Sequence, residues 1–289
     1  MKQYDAEREV VQTSTLEFET LVCDGGGKDV LLLHGFPDDP GSMVPLMERF
    51  EERGFRAVAP YMRGYGGTEK PEIKPGAYSV TKLSQDIMAL FHAFEMDDPV
   101  LVGHDWGAVA STVVSRLAPG NLDCCITMGV PPDFMETLGE HPEQILRSWY
   151  MMFFQVPGVA EDALRRNDYR LLERLYRGWS HGWDYRDRVE EVRDTFRSGE
   201  TVEASLMYYR DFFDEHVTGN EDLQVRGIET PSLVMAGGQD GCVSPRLFNN
   251  SERCFDGYVD VEVIDGAGHF MHVSDVEKVW SRIEEFLDQ

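Results

Sequence analysis

Apolar residues along this chain fall into short runs joined by stretches with a helical repeat. Leu16 to Cys23 is largely alternating and Val30 to Leu33 is continuously apolar, and with Asp24, Gly25, Gly26, Gly27 and Lys28 between them the two predict a hairpin. Phe55 to Pro60 predicts a strand and Arg63 to Gly67 a turn, after which Val80, Leu83, Ile87, Leu90, Phe91 and Phe94 recur at the spacing of one helix face. Pro99 to Val102, then Gly103, His104, Asp105, Trp106 and Gly107, then Val109, Ala110, Val113, Val114 and Leu117 predict strand, sharp turn and helix. Leu122 to Val130 is a further apolar run. Continuous apolar strands alternating with helices imply a parallel sheet covered on both faces.

From Asp133 to Leu223 the strand pattern stops, and the segment reads as several amphipathic helices rich in aromatic residues and arginine. Strands resume at Ser232 to Ala236 and at Val259 to Ile264. Ser274 and Glu277 have the spacing of a capping box, and Val276, Val279, Trp280, Ile283, Phe286 and Leu287 predict a closing helix. The expected organisation is a discontinuous α/β core, 1–132 and 224–289, with a helical insertion at 133–223.

A chain of 289 residues, 42% of them hydrophobic, is long enough to bury one large core. No apolar stretch is long enough to cross a bilayer, and the first residues lack the apolar segment of a secretory signal, so a soluble cytoplasmic protein is expected. Five cysteines, Cys23, Cys124, Cys125, Cys242 and Cys254, show no C-x-x-C spacing and suggest buried thiols rather than disulfides or zinc ligands. The formal charge of -25 repels phosphate backbones and anionic lipid, which disfavours nucleic-acid and membrane partners. Six lysines against 21 arginines and 52 acids is a balance that resembles proteins of salt-loving hosts. Self-association is compatible with the sequence.

Three residues of a nucleophilic triad occur in the order nucleophile, acid, base, each just after a predicted strand: Asp105, Asp240 and His269. Small residues around Asp105 suit a strained turn that exposes the central side chain. An aspartate nucleophile needs no base to activate it and suits displacement at an alkyl carbon. His34-Gly35-Phe36-Pro37 ends the Val30 to Leu33 run, where the Phe36 N–H can point back toward the turn. His34 itself reads as a loop-fixing hydrogen-bond partner. Asp133, after the Leu122 to Val130 run, is the second candidate for the triad acid.

His34 to Pro37, Arg63 to Gly67, Gly103 to Gly107 and Gly266 to His269 together resemble the epoxide hydrolases of the α/β-hydrolase fold, close relatives of the haloalkane dehalogenases. The resemblance covers nearly the whole chain. It implies a mostly parallel sheet flanked by helices with a helical cap at 133–223, and two cap tyrosines that hold the epoxide oxygen. Trp149 to Gly158 resembles the segment of the first, giving Tyr150. Met207 to Arg210 resembles the second, giving Tyr209, with Tyr208 as the alternative. Asp105 would open a small apolar epoxide to an alkyl ester, and His269, supported by Asp240, would activate the water that hydrolyses it. The backbone N–H groups of Phe36 and Trp106 would hold the oxyanion, with no metal or organic cofactor. A haloalkane or haloacid dehalogenase would use the same nucleophile and the Trp106 N–H. Its usual Asn is absent, with Phe36 in that place, and a fluoroacetate dehalogenase would have Arg where Trp106 stands. A non-catalytic binding protein on this fold is the remaining alternative. Tyr61 replaces a common Asp before the Arg63 turn and Asp275 a common Pro after His269, which bears on loop support.

Overall fold

Val30 and Leu32 pack into one hydrophobic cluster and Leu31 and Leu33 into another, and all four are buried. Successive side chains of a strand point to opposite faces, so a run apolar at every position belongs inside a doubly covered sheet. The computed structural model describes residues 6–219 and 225–289. Its strands are β1 (Glu7–Gln12), β2 (Glu17–Asp24), β3 (Asp29–Leu33), β4 (Arg56–Pro60), β5 (Val100–His104), β6 (Cys124–Met128), β7 (Ser232–Gly237) and β8 (Val259–Ile264). They form one sheet in the order β1-β2-β4-β3-β5-β6-β7-β8. Pairing is parallel from β4 to β8, and β2 runs antiparallel to β1 and to β4.

Helices α1 (Val44–Glu52), α2 (Val80–Ala93) and α3 (Trp106–Leu117) follow β3, β4 and β5. Between β6 and β7 lie α4 (Phe134–Thr137), α5 (Pro142–Arg147), α6 (Trp149–Phe153), α7 (Val159–Trp179), α8 (Arg186–Phe196) and α9 (Thr201–Thr218). The chain closes with α10 (Met271–Ser274) and α11 (Val276–Leu287). Apolar residues of α1 and α11, such as Phe50 and Trp280, pack with Val30 and Leu32, while those of α2 and α3 pack with Leu31 and Leu33. None of the helices among the described residues is long and apolar enough to cross a membrane.

The expected hairpin of Leu16 to Cys23 with Val30 to Leu33 does not form, because β4 inserts between β2 and β3. The glycine turn instead wraps the incoming end of β4. A Cβ on Gly25 would lie 2.4 Å from the Phe55 carbonyl oxygen, and one on Gly27 would lie 2.3 Å from that of Gly54. The true hairpin is β1 with β2, and β1 is a mostly exposed edge strand with no apolar pattern to reveal it. The Ser274 capping box is also absent. Ser274 ends α10, its hydroxyl donates to Asp275 Oδ2 at 2.8 Å, and Asp275 precedes α11 without a side-chain cap. Tyr61 holds its turn by packing: a Cβ on Gly66 would lie 2.3 Å from the Tyr61 ring.

Helices α4 to α9 occupy the stretch expected to be inserted, and the expected boundary at 223/224 lies outside the described residues. Their apolar faces, including Leu164, Leu172, Val192, Phe196 and Leu206, join the same cluster as Phe36 and Trp106. One buried ion cluster ties this layer to the sheet. Arg188 on α8 donates through Nε to Asp38 Oδ1 at 2.9 Å and through Nη2 to Asp39, and Asp39 Oδ2 also accepts from the Thr195 hydroxyl at 2.6 Å. All four side chains are buried. Removing the guanidinium leaves two carboxylates without their cation in the interior. Arg188→Met should therefore lower the unfolding free energy by about 3–5 kcal/mol, read from the urea midpoint.

Candidate active site

The turn at the end of β5 is forced by close backbone contacts. Asp105 has φ 50° and ψ -114°, a conformation that costs a non-glycine residue on the order of 1–3 kcal/mol. Neighbouring glycines permit it. A Cβ on Gly103 would lie 2.4 Å from the Gly107 carbonyl oxygen, and one on Gly107 would lie 2.3 Å from that of Leu33. The strained residue is pinned on both sides, by Asp105 N–H to the Met128 carbonyl at 3.1 Å and by Gly107 N–H to the His34 carbonyl at 3.1 Å. Gly35 faces the same carboxylate, and a Cβ there would lie 2.3 Å from Asp105 Cβ. The Phe36 N–H can then donate to Asp105 Oδ1 at 2.7 Å. Trp106 begins α3, so its N–H is a first-turn donor that the helix itself does not use.

His34 is fixed by two backbone groups. Met62 N–H donates to its Nε2 at 3.0 Å, which leaves Nδ1 to donate to the Gly35 carbonyl at 2.9 Å. Burial pushes its pKa down, in keeping with a neutral loop support.

Asp240 follows β7, and His269 lies in the loop after β8, so parallel strands bring both to the sheet edge that carries Asp105. His269 Nδ1 donates to Asp240 Oδ2 at 2.8 Å, while its Nε2 lies 3.6 Å from Asp105 Oδ2. Asp240 Oδ1 accepts from the N–H groups of Cys242 at 2.6 Å and Val243 at 3.0 Å. Burial opposes a charged imidazole, but Asp240 and Asp105 outweigh it and hold His269 up at about 10. Burial likewise opposes the Asp105 carboxylate, and His269, His104 and the Phe36 N–H hold its pKa below the ordinary value. Asp133 is committed elsewhere, accepting from Arg253 Nε at 2.7 Å.

Tyr150 on α6 and Tyr209 on α9 line one cavity of about 250 Å³ with Asp105 and Trp106. Burial first, and then nearby groups including Asp105, raise both hydroxyls well above the ordinary tyrosine value, so both keep their protons. The Tyr209 hydroxyl is buried without a hydrogen bond of ordinary geometry, and the Trp106 side chain beside it is its weak partner. Tyr208 is committed: its hydroxyl donates to the Arg63 carbonyl at 2.8 Å. Val109, Val113, Phe134, Met135, Met151 and Phe212 give the cavity a mainly apolar wall suited to a hydrocarbon or aryl group, with Thr112, Asp133, Glu136 and His216 also at its lining.

Several contributing residues have no local sequence signal. His104 lies beneath the site with its Nε2 3.0 Å from the His269 carbonyl oxygen, and burial together with His269 lowers it to about 3. Arg147 Nη1 donates to the Asp240 carbonyl at 2.6 Å, and Gln144 Nε2 donates to the Cys242 carbonyl at 2.8 Å. Asp38, His104 and His272 gather ligand-type atoms within 4.8 Å of one another. Asp38 Oδ1 accepts from Arg188 and His104 Nε2 faces the His269 carbonyl, while Asp38 Oδ2, His104 Nδ1 and the His272 nitrogens have no hydrogen-bond partner among the described residues; the adjoining guanidinium repels a cation.

A buried carboxylate, an imidazole paired to a second carboxylate, a backbone N–H donor and two protonated phenols thus meet at one end of the sheet. The model of the alpha/beta hydrolase fold family matches residues 29–276. The AB hydrolase superfamily protein YfhM of Bacillus subtilis is 27% identical over 266 residues, covering 90% of each chain. Epoxide hydrolase A of Mycobacterium tuberculosis is 27% identical over 298 residues, covering 91% of each. Among solved structures, the Bacillus megaterium epoxide hydrolase in complex with an inhibitor matches with a TM-score of 0.83 at 23% identity, over 97% of this chain and 100% of that one. With the family model spanning most of its length, and the sheet order and strand-end placement described above, the chain belongs to the alpha/beta hydrolase fold family.

Proposed function

We propose that this protein is an epoxide hydrolase, converting a small apolar epoxide and water to a vicinal diol through an ester on Asp105. The observation that carries the reading is the pair of protonated, buried tyrosine hydroxyls, Tyr150 and Tyr209, in one cavity with an ionised aspartate. An epoxide has a strained ring but a poor leaving group, so its opening needs proton donors at the departing oxygen. Departing halide needs no such pair. The names of the relatives support the same reading. Residues 133–223 would act as the cap that supplies both tyrosines.

In this reading Asp105 attacks a ring carbon, the ring C–O bond breaks, and Tyr150 and Tyr209 donate to the developing alkoxide. Water activated by His269 then adds to the ester carbonyl. The N–H groups of Phe36 and Trp106 hold the oxyanion, each worth about 3–4 kcal/mol in comparable sites. Charge orders the two steps. Before reaction two carboxylates hold His269 protonated; ester formation neutralises Asp105 and removes one of them. The imidazole pKa falls, and the base becomes available only once there is an ester to hydrolyse. We assign the enzyme to the cytoplasm, since its five cysteines are buried and form no disulfide. Its charge of -25 suits activity in concentrated salt.

Turnover of styrene oxide beside 1-bromobutane, at low and at molar salt, tests the function. Diol without bromide is expected; bromide without diol would indicate a dehalogenase. Reversible binding with neither product would indicate a receptor. Tyr150→Phe and Tyr209→Phe should each slow diol formation roughly 100-fold, and His269→Ala should accumulate the alkyl-enzyme, visible by intact mass. By imidazole NMR, His269 should titrate near pH 10 in the resting protein and at markedly lower pH in Asp105→Asn. Equal values in the two proteins would remove the charge-ordering account.

A further inference from the structure

Cys242 has no role in the chemistry above, yet its Sγ lies 3.3 Å from the Tyr150 hydroxyl oxygen. The thiol is held there by a built network. The Cys242 N–H donates to Asp240 Oδ1 at 2.6 Å, and its carbonyl accepts from Gln144 Nε2 at 2.8 Å. The other end of that amide, Gln144 Oε1, accepts from Ser244 N–H at 2.9 Å. Gln144 Nε2 also donates at 3.0 Å to the hydroxyl of Ser148, the residue that precedes α6 and its Tyr150. Gln144 and Cys242 are fully buried. One side-chain amide therefore clamps the triad-acid loop to the tyrosine helix, and the thiol stays against the hydroxyl.

Burial pushes the Cys242 thiol well above its ordinary value, with Asp240 and Asp105 adding to the effect, so sulfur keeps its proton. Two protonated groups in contact can bond in either direction. Once an epoxide oxygen accepts the Tyr150 proton, one direction remains, with S–H donating to the phenolic oxygen. That bond strengthens as the oxygen takes on negative charge.

Resting on the epoxide reading above, we propose that Cys242 is a positioning residue for ring opening, donating its S–H to the Tyr150 oxygen while Tyr150 donates its own proton to the epoxide. A bond forms between an Asp105 oxygen and the ring carbon. The carbon–oxygen ring bond breaks, its electron pair stays on the leaving oxygen, and the Tyr150 proton passes to that oxygen. The thiol proton remains on sulfur, bonded to the tyrosinate. Hydrolysis of the ester releases one proton, which restores Tyr150.

The test is a double-mutant cycle between Cys242 and Tyr150 in the His269→Ala protein, where the rate of adduct formation from styrene oxide is read by rapid quench and intact mass. Cys242→Ala, and Cys242→Val as a variant that keeps the volume, should slow adduct formation roughly 3- to 10-fold, and Cys242→Ser should recover most of it. With Tyr150→Phe already present, replacing Cys242 should change the rate no further. Equal slowing with and without the Tyr150 hydroxyl, or no slowing, would overturn the proposal and leave the epoxide reading intact. Absence of any adduct in the otherwise unchanged His269→Ala protein would remove both.

Discussion

The site depends on how closely three pieces of backbone approach Asp105. The end of β3, the loop at Gly35 and the first turn of α3 meet at distances that admit no side chain at Gly35, Gly103 or Gly107. This crowding holds Asp105 in a costly conformation and aims its carboxylate at the Phe36 N–H rather than into the sheet. The compensating energy comes from a sheet buried on both faces. Val30, Leu32, Val100 and Val102 pack on one side, and Leu31, Leu33 and Leu101 on the other. Fully burying such a side chain is worth about 1.5–3 kcal/mol, so a few of them offset the strain at the turn.

Parallel strands then bring the remaining chemistry to the same edge. Asp240 and His269 belong to loops after adjacent strands, which accounts for a 2.8 Å bond between residues far apart in sequence. The imidazole sits between two carboxylates, only one of which is consumed in the proposed reaction. An imidazole paired to Asp240 alone would feel no change in neighbouring charge on ester formation. The helices between β6 and β7 add the hydroxyls and the apolar walls, and the Arg188 cluster joins them to the loop that carries Phe36.

Sequence pattern was most informative where burial is two-sided or where a residue follows directly from a strand. The core strands β3, β5, β6 and β7 are largely apolar runs, and Asp105 and Asp240 stand just beyond two of them, while His269 follows β8, an alternating and partly buried strand. Strand order was not legible. The glycine turn at Gly25 to Gly27 has hairpin composition, but its glycines serve the passage of β4, a contact made with residues some thirty positions later. The choice between Tyr208 and Tyr209 was equally hidden, since both are buried on α9. A single bond, Tyr208 hydroxyl to the Arg63 carbonyl, separates them. Gln144, Cys242 and Arg147 contribute through contacts spanning about a hundred residues, and such pairings leave no local periodicity or motif.

The central claim is that Asp105 itself bonds to substrate and that water attacks the resulting ester at its carbonyl carbon. A single turnover of styrene oxide in water labelled with heavy oxygen, with enzyme in excess, tests it most directly. The account predicts that the diol leaves carrying unlabelled oxygen from Asp105 and that the label appears in the peptide containing Asp105. Label in the diol with none in that peptide would mean that water attacks the epoxide directly, and would contradict the account.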